Sequence, residues 1–95
     1  MDVRPIPLAV FPLGRIVATP NALSVLSAED IGTALRRHQA GDWGNLSEDD
    51  RQANNQALAN GARILSSYRS AGEVRFWIMT EADRSATTIL LPQDY

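Results

Sequence analysis

The residues of this chain that could do chemistry fall in three places. The first is Thr80-Glu81-Ala82-Asp83-Arg84-Ser85, with two carboxylates, one guanidinium and two hydroxyls. In an extended chain Glu81 and Asp83 point the same way, about 6–7 Å apart, a spacing that can hold a water or a divalent ion. The pair could work as general acid and base, or join Arg84 in binding an anion. The plain structural reading is that Asp83 caps a turn and Arg84 pairs with a neighbouring acid. The second place is His38, with Asp42 and Trp43 just beyond it. An imidazole near its ordinary pKa is a natural proton shuttle, and Asp42 could orient it. Together with Glu81, Asp83 and Arg84 it would make a small hydrolase or nuclease. Its plain reading is a packing residue bonded to a carbonyl. The third place is the acidic segment from Asp42 to Asp50, where Asp42, Glu48, Asp49 and Asp50 precede the first base, Arg51. It is not a calcium loop, because the acids gather at a helix start instead of alternating along a loop. They either compensate a helix dipole or form a patch for a partner rich in Arg and Lys, with Trp43 as an aromatic anchor.

Much other chemistry is excluded. The chain has no cysteine and one histidine, so there are no disulfides, thiolate nucleophiles or metal sites rich in these ligands. There is no glycine-rich phosphate loop, nucleophile elbow or dinucleotide fingerprint, and no cofactor is expected. Nine arginines and no lysine stand against eleven acids, a net charge of −2. That balance argues against direct binding to nucleic acid, and it is too weak for a DNA mimic. No run approaches the ~18 apolar residues of a membrane span, and Met1-Asp2-Val3-Arg4-Pro5 lacks the layout of a secretory signal, so a cytoplasmic protein is expected.

The elements that must position these groups read as one α+β domain over residues 1–95, with residues 1–8 an extended arm around Pro5 and Pro7. A short edge strand is expected over Arg15–Ala18. Thr19-Pro20 opens a brief helical turn in which Leu23 and Leu26 face inward. Ser27 caps the next helix, with Glu29 and Asp30 in its first turn and an inward stripe of Ile31, Ala34, Leu35 and His38, ended by Gly41. Trp43 and Leu46 tuck under the following loop. Ser47 caps a polar third helix that ends at Gly61 and has Ala53, Ala57 and Leu58 as inward candidates. Strands over Arg63 to Arg69, Val74 to Thr80 and Ala86 to Leu91 form a meander. The expectation is an antiparallel sheet of three to four strands with two to three helices on one face. The other face would then show Trp77, Met79 and either Ile89 or Leu91, an apolar patch open to a second copy or another protein.

Several stretches together resemble a known family. They are Leu13-Gly14-Arg15-Ile16-Val17-Ala18-Thr19-Pro20, Arg37-His38-Gln39-Ala40-Gly41-Asp42-Trp43-Gly44, Asp50-Arg51-Gln52-Ala53-Asn54, and Phe76 to Ser85 running into Thr87-Thr88-Ile89-Leu90-Leu91-Pro92. The likeness is to small proteins carried on plasmids and other mobile elements, labelled plasmid-related proteins or type I restriction subunits. It brings no catalytic residues and no methyltransferase loop. What it implies is an accessory factor that binds another protein, such as a nucleic-acid-handling defence complex, and blocks it by occlusion (an anti-CRISPR or anti-restriction role). The expected contact residues are Asp42, Trp43, Glu48, Asp49 and Asp50, with Glu81, Asp83 and Arg84.

Overall fold

Alternation of apolar and polar residues in the last third of the chain produces three strands, β2 (Ile64–Arg69), β3 (Arg75–Thr80) and β4 (Ala86–Leu90). They pair antiparallel in sequence order as a meander. The computed structural model describes residues 9–95, so the arm expected over residues 1–8 lies outside the described residues. Strand β1 (Arg15–Ala18) adds to β4, giving the order β1-β4-β3-β2. That pairing is parallel, so the sheet is mixed and not purely antiparallel as expected. The cause lies in the connection. The chain leaves β1 through helices that cross one face of the sheet, and a crossover returns strands in parallel.

Helices α1 (Pro20–Val25) and α2 (Ala28–Gln39) are that covering layer. Thr19 caps α1 by accepting from the Ala22 N–H, with proline in the first turn. Ser27 and Asp30 make a reciprocal capping box on α2. Ala22, Leu26 and Ala34, with Ile31 and Leu35, pack on Tyr68, Phe76, Ile78, Ile89 and Leu91. Two expectations are corrected here. Leu23 is 61% exposed, and Ala22, four residues before Leu26, takes the inward place. Ile89 and Leu91 belong to the covered face, because Ile89 pairs with the inward Ile78. The opposite face carries Trp77 and Met79, both half-buried, and the buried Leu90. There the Tyr95 ring meets Trp77 edge-on at 5.9 Å, beyond the terminal turn Pro92–Asp94.

The third helix, α3 (Glu48–Asn60), is capped by Ser47 and ended by Gly61 in the left-handed conformation. It docks along the outer edge of β2 instead of lying over the sheet. The side-chain amide of Asn54 donates to the Leu65 carbonyl (2.7 Å) and accepts from the Leu65 N–H (3.2 Å), standing in for a neighbouring strand. Asn54 and Ala57 are therefore the buried positions of α3, while Ala53 and Leu58, expected inside, are exposed. Two residues along β2, the Ser67 N–H donates to the Trp43 carbonyl and the Ser67 carbonyl accepts from the Asn45 N–H. Between these two bonds lies Gly44, at φ 73°, where a β-carbon would collide with the Ser67 carbonyl and the Tyr68 ring. Only glycine lets the 43–45 segment come this close.

Gly44→Ala is expected to lower the unfolding free energy by about 3 kcal/mol, the combined effect of strained φ and displaced backbone. Urea unfolding measures it, and an unchanged midpoint would mean that close approach at Gly44 does not hold the β2 edge.

Candidate functional site

His38 ends the inward stripe of α2, which carries it under the sheet until its ring is completely buried. An imidazole in that position must find partners for both nitrogens. Nδ1 lies 2.5 Å from Ser66 Oγ and Nε2 lies 2.9 Å from Thr80 Oγ1. Thr80 Oγ1 in turn lies 2.7 Å from Thr87 Oγ1, its cross-strand neighbour, and Thr87 donates to the Leu13 carbonyl at 2.7 Å. The carbonyl at the end of this chain sets its direction. Thr87 spends its proton on Leu13, so Thr80 must donate to Thr87 and His38 must donate from Nε2. Nδ1 is then the acceptor, and the Ser66 hydroxyl donates to it. Burial, helped by the positive charge of Arg84, brings the His38 pKa from 6.5 down to about 4, so the ring is neutral at pH 7. Phe11 and Trp43 close around it edge-on, at 5.2 and 5.9 Å between ring centres.

Ser66 beside His38 has the composition of a nucleophile and its base, yet both side chains are fully buried. A substrate carbonyl has no route to Ser66 Oγ in this arrangement. His38 faces inward as its helical stripe predicts, but its partners are the hydroxyls of Ser66 and Thr80 and not a carbonyl. The available signal was a serine at an inward-facing strand position, between Ile64 and Tyr68.

Of the 80–85 groups, Thr80 bonds His38, while Glu81, Asp83 and Arg84 bond other partners. Asp42, expected to orient the imidazole, instead holds Arg37 through two bonds of 2.7 and 3.2 Å. Glu81 sits 3.5 Å from Arg63. Asp83 accepts from the Ser85 N–H at 3.0 Å, the turn-capping role. Arg84, at φ 61°, bonds carbonyls instead of an acid: Ala62 at 2.7 Å, Ala57 at 2.9 Å, and Glu81 and Ala82 at 3.2 Å. Its guanidinium thus ties the turn to the last turn of α3, where cations suit the helix dipole.

In the acidic segment, Trp43 is 3% exposed and its indole N–H donates to Asn55 at 3.0 Å. It is a core residue and not the aromatic anchor expected at the surface. The loop tuck predicted for it is what occurs. Glu48, Asp49 and Asp50 are exposed in the first turn of α3. A shallow groove of about 220 Å³ lies between α2 and the β2–β3 hairpin, lined among others by Glu29, Asp30, Arg37, Tyr68 and Arg69. Its charges are largely engaged, Asp30 with the Ala71 N–H and Arg69 with Glu73. Among the described residues no group of three His, Asp or Glu side chains could hold a metal ion. Comparisons with protein-family models, curated proteins and solved structures find no match to this chain.

The buried imidazole predicts a pH response. Its pKa is lower folded than unfolded, so the unfolded chain binds the extra proton between pH 6.5 and about 4, and stability falls as pH falls through that window. The full effect is on the order of 3 kcal/mol. Asp30, Asp42, Asp83 and Asp94 are held below the ordinary 3.8, chiefly by the Ala71 N–H, Arg37, Ser85 and the Thr19 hydroxyl respectively. Their contribution is lost progressively from about pH 5 downward, so the loss between pH 6.5 and 5 belongs to His38. An NMR titration should place the His38 midpoint near 4, and a midpoint above 6 would contradict the sealed neutral ring.

Proposed function

We propose that this chain is a non-enzymatic, protein-binding accessory protein of a mobile genetic element, an anti-defence inhibitor that works by covering a basic surface of its target. The observation that carries this reading is the division of polar groups between interior and exterior. The imidazole, Arg84 and Asp83 are committed to internal bonds, whereas Glu48, Asp49 and Asp50 stand exposed together on one helical turn. That turn is held rigidly, since α3 is fastened to β2 through Asn54 and its far end is bonded by Arg84. Defence complexes present Arg and Lys surfaces meant for nucleic acid, and a fixed group of carboxylates is complementary to such a surface. Occlusion of this kind needs no cofactor, and it requires the inhibitor to share the cytoplasm with its target.

A DNA-cleavage assay with a purified type I restriction complex or CRISPR effector from the host tests the reading. The chain is expected to slow cleavage, and Asp49→Lys combined with Asp50→Lys should weaken that inhibition about tenfold or more while circular dichroism stays unchanged. Equal inhibition by the double variant would remove the α3 acidic turn as the contact surface.

A further inference from the structure

The two edges of the sheet are treated differently. On β2, Leu65 and Ser67 turn their backbone groups outward, and every one of those four groups is bonded, by Asn54 or by the Trp43 and Asn45 backbone. On β1 the Arg15 N–H donates to the Ser85 carbonyl and the Thr19 N–H to the Ile89 carbonyl, both at 3.0 Å. By the two-residue period of a strand, Arg15, Val17 and Thr19 direct their backbone toward β4, and Ile16 and Ala18 direct theirs away. No described segment pairs with that outer side, and Ile16 and Val17 are 49% and 38% exposed. Within its four residues the edge has neither proline nor bulge, and its one charge is Arg15 at the first position.

We propose that β1 is a homodimerisation edge: a second copy of this chain adds its own β1 antiparallel across a two-fold axis at Val17, joining two four-stranded sheets into one of eight. The self-complementarity of the strand favours this occupant. With Val17 opposite Val17 of the second copy, Ile16 falls opposite Ala18 and Arg15 opposite Thr19. The outward N–H and C=O of Ile16 then meet those of Ala18 in the second copy, and the relation repeats by symmetry to give four backbone bonds. On the helix-covered side each Ile16 meets the small Ala18. On the other side lies the charge match. Thr19 donates to the carboxylate of Asp94 at 2.6 Å, and Asn21 and the Leu91 N–H donate to it as well, so a fixed acid stands at the end of β1 where the pairing sets the second copy's Arg15 opposite Thr19. An isologous pairing therefore makes two Arg15–Asp94 ion pairs and sets the two arginines far apart. The exposed apolar residues Leu23 and Val25 lie on α1, which begins two residues after β1.

Sedimentation velocity over a concentration series tests the proposal, with the protein expected to dimerise at a dissociation constant on the order of 10 µM, as suits a short ladder. Ile16→Pro is the discriminating variant. No described segment bonds the Ile16 N–H, so proline there should leave the circular dichroism spectrum and unfolding midpoint intact and make the protein monomeric. Arg15→Glu, which sets like charges against Asp94, should weaken the dimer about tenfold, and the loss should shrink in high salt. A protein that stays monomeric throughout, or one that takes up an extended peptide of another protein at this edge instead, overturns the proposal. So does a dimer that neither variant disturbs. The acidic turn of α3 plays no part in this assay, so its outcome is independent of the inhibitor reading.

Discussion

An imidazole shut away from water dictates much of this molecule. Its two nitrogens need partners of fixed polarity, and the sheet supplies them as hydroxyls in a row: Ser66 on β2, Thr80 on β3 and Thr87 on β4. The row ends on the Leu13 carbonyl, so one chain of hydrogen bonds ties α2 to three strands and to the segment before β1. A missing member would leave a buried polar group unpaired, at a cost of about 1–3 kcal/mol. A fully satisfied network of this kind fixes one arrangement of helix on sheet, where an apolar contact would tolerate several. It also divides the interior. On one side lies the aliphatic and aromatic cluster around Phe76 and Ile78, on the other the cluster of Phe11, Trp43, Ala57 and Ile64, with His38 touching Phe11 and Trp43.

Side chains elsewhere take over work that backbone does in larger domains. Asn54 replaces a strand at the β2 edge with a single amide, and Arg84 gathers four carbonyls from the end of α3 and the neighbouring turn. Both explain residues that look functional in isolation. A buried asparagine in a polar helix and an arginine between two carboxylates are fastenings, and they free the first turn of α3 to face outward as a fixed acidic surface.

What could be read from the sequence was what neighbouring residues decide. The caps at Thr19, Ser27 and Ser47, the stop at Gly61, and the strand Arg15–Ala18 all follow from chemistry within a few residues. The α2 stripe ending on His38 was legible because twelve residues fix a helical face. Over the six residues of α1 the face was ambiguous, and Leu23 looked as good as Ala22. The parallel partner of β1 was not legible, since nothing local says which strand it joins. Polar residues used as substitutes for backbone also run against hydropathy, so α3 buries Asn54 and leaves Leu58 exposed. The candidate site suffered most. Spacing brought Glu81 and Asp83 together on paper, while their partners, Arg63 and Ser85, were set by the turn and by β2.

The pairing of β1 with β4 joins the earliest to the latest strand among the described residues. During synthesis β1 therefore leaves the ribosome long before the strand that will shelter it, and helices, hairpin and turn must all follow first. Until then its apolar residues and both of its edges are open to whatever the emerging chain meets. The sheet can close only after β4 has emerged, which makes its assembly a late, collective event.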